Sequence, residues 1–281
     1  MLTALLGTLT ATLFGSSDFL GGLASRRSPA LWITSIVYAV GVASLTLVLL
    51  VLRPVELTRP DVAWSIGSGF AGTIGVLSLY AALAAGRMGI VAPLTAALAG
   101  AGPAIFDLVS GVRVGPARLA GLGLALVAVI VVSTINDPDD EHHTPMRAIA
   151  LAVTAGIGFG VSLILLSKTT PASGLSPLLV ARVAGFTVLL VALFARRGAR
   201  PSFALATLRP ALAAGLLDTA ANITMLSAVR IGPLAVASVI GALYPVATIL
   251  LARTVLRERL HRQQIVGVVL ALAAVVLTAL P

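Results

Sequence analysis

The chain has 281 residues, of which 58% are hydrophobic and 10% charged, with a net charge of +9. Soluble proteins carry roughly 25% charged residues, so the composition excludes an ordinary water-soluble domain. There is no cysteine, which removes disulfides, thiol catalysis and thiolate metal sites.

The apolar residues fall in blocks of about 20, the length a helix needs to cross ~30 Å of hydrocarbon. Only helices or closed barrels satisfy the backbone inside lipid. These blocks are too long and too uniformly apolar for barrel strands. The predicted spans are 2–23, 30–52, 62–85, 88–110, 119–136, 148–167, 175–195, 210–229, 231–252 and 264–280. The fold class expected is an all-α polytopic membrane protein of about ten transmembrane helices.

The first block lacks the basic start of a signal peptide and holds Ser16, Ser17 and Asp18, so it reads as a retained first helix. Asp18 lies late in that span, with Gly15 and Gly22 on its face. Small residues there suit close helix packing or a cavity wall. Span four carries Pro93, Pro103 and, near its end, Asp107. Prolines free backbone groups that neighbours or water must satisfy, whereas Asp107 reads as a solvated helix end. The hydrophilic run from Asn136 to His143 sits at the middle of the chain and reads as a solvated linker. The three histidines, His142, His143 and His261, fall in loops, so no metal site and no cofactor is expected.

Span seven holds Arg182, the only basic residue inside a predicted span core. Two readings stand: a counter-ion for a buried aspartate, or a bidentate holder of a substrate carboxylate or phosphate. Span eight holds Asp218 with Asn222 four residues on and Gly215 three residues back, all on one face. A charge inside the membrane needs a partner, a wet cavity or a change of protonation. Asp218 therefore reads either as a cation- or proton-binding residue or as half of an ion pair. In span nine, Tyr244 precedes Pro245 and is a candidate to face a cavity. Beyond it, Arg257-Glu258-Arg259 forms a charged turn that reads as a helix cap or an interhelix clamp.

The two sides of the linker resemble each other. Phe14-Gly15 recurs as Phe159-Gly160, and Arg87-Met88-Gly89 as Arg230-Ile231-Gly232. Pro103 recurs as Pro245, and Gly121-x-x-Leu124-Ala125-Leu126 as Gly267-x-x-Leu270-Ala271-Leu272, all at offsets of 142–146 residues. The division expected is a first repeat at 1–136, a linker at 137–147 and a second repeat at 148–281. Five spans per half, an odd number, would insert the halves upside down relative to each other. Such inverted repeats recur in secondary transporters.

The stretch from Arg230-Ile231-Gly232-Pro233 through Tyr244-Pro245 to Leu256-Arg257-Glu258-Arg259 and Gln264-x-x-Gly267 resembles the EamA family of the drug/metabolite transporter superfamily. In the first half, Val112 stands where that family often has glutamate. The resemblance implies movement of a small-molecule substrate through a cavity between the halves, without ATP, and nothing here resembles a Walker loop. It implies the cell membrane, lipid contact, a proton or other coupling ion, and both termini in the cytoplasm. Charge points the other way: loops after odd-numbered spans hold 12 Lys or Arg and those after even-numbered spans hold 6, which places the first set inside.

No enzyme constellation is present: no serine–histidine pairing lies in a span, and no span carries two aspartates. The basic residues lie between apolar blocks at headgroup level, so no nucleic-acid partner is expected. The expected function is an alternating-access exporter of amino acids, other small metabolites or toxic compounds. Alternatives are a flippase for lipids or lipid-linked sugars, and a non-transporting sensor or scaffold. The site candidates are Asp218, Asn222, Arg182, Asp18 and Tyr244.

Overall fold

A computed structural model describes residues 2–52, 56–109, 111, 115–134, 144–195, 204–231, 243–258 and 262–279. Among them there are ten α-helices and no strand. The helices are α1 (Leu2–Ser25), α2 (Ala30–Leu52), α3 (Arg59–Ala85), α4 (Met88–Val109), α5 (Pro116–Thr134), α6 (Met146–Ser167), α7 (Ser176–Ala195), α8 (Leu205–Ile231), α9 (Tyr244–Val255) and α10 (Arg262–Ala279). The 232–242 part of predicted span nine, most of the central linker with His142 and His143, and the side chains of Pro103 and Asp107 lie outside the described residues.

Among the described residues many large apolar side chains are exposed, and hydroxyls are buried within an otherwise apolar core. Val51, Val109, Phe194 and Leu50 are largely exposed, while Thr10, Ser17, Ser65, Ser68, Thr73, Thr95, Thr219 and Thr248 are buried. Several buried hydroxyls donate one turn back, as Thr73 Oγ1 does to Gly69 O and Ser65 Oγ to Asp61 O. Others bond across helices, the polar glue of membrane bundles. Among the described residues, four helices are long and apolar enough to cross a membrane: Ala30–Leu52, Arg59–Ala85, Met146–Ser167 and Ser176–Ala195. The chain is an integral membrane protein.

Two helix pairs dominate the packing: α1 on α8, and α3 on α6. Along the first, Thr10 meets Thr224, Ser17 Oγ donates to Ala214 O, and Arg27 Nη1 donates to Ala206 O. Numbers fall on α8 as they rise on α1, so the pair is antiparallel. Along the second, Asp61 meets Thr170 and Ser68 meets Ser162, again antiparallel. The glycines of the repeated Phe-Gly motif are close-approach points. A Cβ on Gly15 would collide with the α9 backbone at Tyr244, and one on Gly160 would meet the α4 backbone at Gly102.

Helix ends differ from the predicted spans where capping chemistry decides. Helix α3 begins at Arg59, before the predicted 62. Thr58 and Asp61 form a reciprocal capping box there, and Pro60 fills a first-turn position that needs no N–H. Helix α8 begins at Leu205, before the predicted 210, with Pro210 inside it. The proline leaves the Ala206 carbonyl without its helical donor, and Arg27 supplies one at 2.7 Å. The longer helix also takes in Arg209 and Arg230, so Arg182 is not alone among helical cations.

Both ends of α3 are tied to the second half of the chain. At its start, Asp61 accepts from Thr170 N at 2.7 Å and from Thr170 Oγ1 at 3.0 Å. At its end, Arg26 donates to the Leu83 and Gly86 carbonyls and pairs with Glu258 at 3.0 Å. Glu258 also accepts from the Met88 and Gly89 N–H groups that open α4. Cation and anion thus each sit at the helix terminus whose dipole they complement. The left-handed turn at Arg257 (φ 54°) closes Glu258 N–H onto Ala252 O. The charged turn is at once a cap and an interhelix clamp.

Candidate functional site

Three sequence-predicted residues meet directly in the bundle. Arg182 on α7 donates its Nη2 to Asp218 Oδ2 on α8, and their side chains are 12% and 14% exposed. Asn222, one turn along α8, donates Nδ2 to Asp218 O at 2.8 Å and faces Oδ2 at 3.4 Å. Asp218 therefore has donors on two sides. The Arg182 guanidinium also lies 4.6 Å from the centroid of the Tyr38 ring on α2, within cation–π range.

The other two candidates stand beside this pair. Asp18 on α1 is within electrostatic reach of Asp218 and has no hydrogen bond or ion pair among the described residues. Tyr244 on α9 is within electrostatic reach of Asp18. Its ring meets Phe14 edge-on, with centroids 6.2 Å apart. Helix α1 runs to Ser25, two residues beyond the predicted end, so Asp18 sits seven residues, ~10 Å of rise, inside the helix.

Two tyrosines complete the cluster. Tyr38 and Tyr80 are 3% and 1% exposed. Tyr80 on α3 packs its ring against Gly21 and is within electrostatic reach of Asp218, Asp18 and Arg182. Nothing in their local sequence marks them, because tyrosine in an apolar span is an ordinary packing residue. A signal did exist for the neighbouring hydroxyls. Carrying the Phe14-Gly15 and Phe159-Gly160 register onward reaches Ser17 and Ser162, which make equivalent bonds to Ala214 O and Ser68 O.

The cluster is thus one ion pair, one further carboxyl group and a set of aromatic walls. Arg182 and Asp218 offset each other. Asp18 is a second acid for which the described residues supply no cation. Among those residues no group of three or more metal-ligating side chains comes together.

Residues 146–280 match the EamA-like transporter family. The matched segment spans α6 to α10 and contributes Arg182, Asp218, Asn222 and Tyr244, while Asp18, Tyr38 and Tyr80 come from the part of the chain before it. A solved structure described as a crystal structure of protein superposes on this chain with a TM-score of 0.65. The match covers 98% of this chain and 95% of the other at 15% identity, a likeness of fold alone. No curated protein matches the chain in sequence.

Proposed function

We propose that this protein is a secondary transporter of the drug/metabolite type. It carries a small molecule across the cell membrane by alternating access, as ten spans in two inverted halves, 1–136 and 148–281. The match of residues 146–280 to the EamA-like transporter family supports transport. The inverted reading is supported by matched contacts: Ser17 to α8 and Ser162 to α3, Gly15 against α9 and Gly160 against α4. The antiparallel pairs α1–α8 and α3–α6 each join one helix from either half.

The observation that carries the reading is Asp18. It is an acid within a membrane helix, beside an ion pair that already offsets itself. An unpartnered carboxylate in such a place is balanced by a proton, an inorganic cation or a cationic group on a substrate. Exchange of that balancing charge is what couples transport to a gradient. Asp218 serves as the negative neighbour that Arg182 screens, and Asn222 fixes its orientation. Asp218 remains a coupling candidate in its own right wherever a substrate displaces Arg182. Export of amino acids, related metabolites or toxic amphiphiles is the direction we favour.

The test is growth protection. Cells producing wild type, Asp18→Asn or Asp218→Asn, matched for membrane level, are challenged with inhibitory amino acids, their analogues and cationic dyes. Protection by the wild type, reduced by either substitution, is the expected result and names the substrate class. If no compound is protected and purified protein in vesicles moves none of them in either direction, the transport reading fails. Protection left intact in both mutants would remove the cluster from the mechanism.

A further inference from the structure

A groove lies on the outer face of the bundle. It measures about 530 Å³ and runs between the end of α1 and the start of α8, lined by Leu20, Leu23, Leu205, Arg209, Pro210 and Ala213, with Ala206 at its end. The groove is shallow and open, a shape that suits a chain lying along it rather than an enclosed ligand. Leu205, Leu212 and Leu216 are 57%, 40% and 56% exposed. With Arg209 they fall at helical spacing on one stripe of α8, the stripe presented to lipid. Arg209 is exposed and has no acidic or hydrogen-bonding partner among the described residues. Arg209 and Asp218 are nine residues apart, half a revolution around the helix at 100° per residue. The groove therefore faces away from the Arg182–Asp218 cluster.

We propose that this groove holds an anionic phospholipid, bound laterally and distinct from any transported substrate. One acyl chain lies along the leucines, and the headgroup phosphate meets Arg209. Arg209 is four residues into α8, where a long side chain reaches headgroup level. Arg27 reaches the groove's end from α1's side. One of its amino groups is held by Ala206 O, which fixes the guanidinium at the groove's end and leaves further donors for a phosphate oxygen. A contrasting groove on α3 and α7 is lined by Ile66, Phe70, Ala184, Thr187, Val188 and Val191, with no charged side chain. It suits acyl chains without regard to headgroup. The charge at the α1–α8 groove is what selects an anionic lipid there.

The experiment is native mass spectrometry of the full chain in detergent, with phosphatidylglycerol or phosphatidylcholine of identical acyl chains. The wild type should retain phosphatidylglycerol in preference, by roughly fivefold, the ratio one basic side chain near an anionic surface confers. Arg209→Gln should lower the preference and Arg209→Gln/Arg27→Gln should bring the two lipids level, while Arg253→Gln, at an exposed site on α9, keeps the preference. Ala213→Trp, which fills the groove, should lower retention of both lipids. Equal retention by the wild type, an unchanged preference in Arg209→Gln, or retention indifferent to Ala213→Trp would each overturn the assignment.

Discussion

Glu258 pairs with Arg26 at 3.0 Å and so ties the turn between α9 and α10 to the end of α1. The same carboxylate caps α4 through Met88 N and Gly89 N. Glu258→Ala removes the ion pair and both cap bonds together, a loss of about 1–3 kcal/mol. The chain has no native cysteine, so a single introduced thiol reports alone. Ser25, 9% exposed with no partner for its hydroxyl, is the place for it. In Ser25→Cys protein, Glu258→Ala should speed thiol labelling about tenfold for each 1.4 kcal/mol lost. Unchanged labelling would mean that the clamp does not hold this end closed.

Arg182 and Asp218 should behave as a unit. Removing one partner strands a buried charge, at a cost of about 3–5 kcal/mol. Arg182→Ala should therefore lower thermal stability more than the double variant Arg182→Ala/Asp218→Asn does. Scanning fluorimetry of the three purified proteins measures this. Additive losses would show that the two side chains stand apart in the membrane.

Gly69 and Gly123 should respond in opposite directions to alanine. A Cβ on Gly69 would run into the Ala181 carbonyl of α7, whereas nothing lies within 4 Å of one on Gly123. Gly69→Ala forces helices apart and should cost about 1–3 kcal/mol. Gly123→Ala removes only a helix-weakening residue and should gain about 0.5–1 kcal/mol. Melting temperatures of the two variants decide the matter.

Arg27 and Pro210 should be coupled through the Ala206 carbonyl. Arg27 supplies the Ala206 carbonyl with the donor that Pro210 withholds. Arg27→Ala should cost about 1 kcal/mol. In a Pro210→Ala background the helix provides its own N–H, and the same change should cost measurably less. A double-mutant cycle on thermal stability tests this. A cycle that closes at zero would detach Arg27 from the proline.

Much of the bundle was legible because block length and turn chemistry are local. The predicted 30–52, 148–167 and 175–195 spans lie within two residues of α2, α6 and α7. The starts of α3 and α8 were harder, since they depend on Thr58 meeting Asp61 and on Arg27 reaching Ala206. The candidate cluster was legible in its ionisable members, because a charge in an apolar span announces its own cost. The pairing of Arg182 with Asp218 was one of two open readings. Which aspartate Arg182 meets depends on how α7 and α8 face each other, and composition does not encode that. Tyr38 and Tyr80 went unmarked for the same reason: their role comes from helices far off in sequence.

The pairing of α1 with α8 has a consequence for synthesis. When the ribosome has delivered the first five helices to the membrane, Arg27 still lacks its acceptor, because Ala206 has yet to be translated, and Ser17 has Tyr80 but not yet Ala214. The nascent first half waits with polar groups facing lipid or provisional neighbours. Its completion is a long-range event, of the kind that folds slowly and exposes intermediates to mispairing. The α1 contacts of the first half are therefore completed only when α8 arrives.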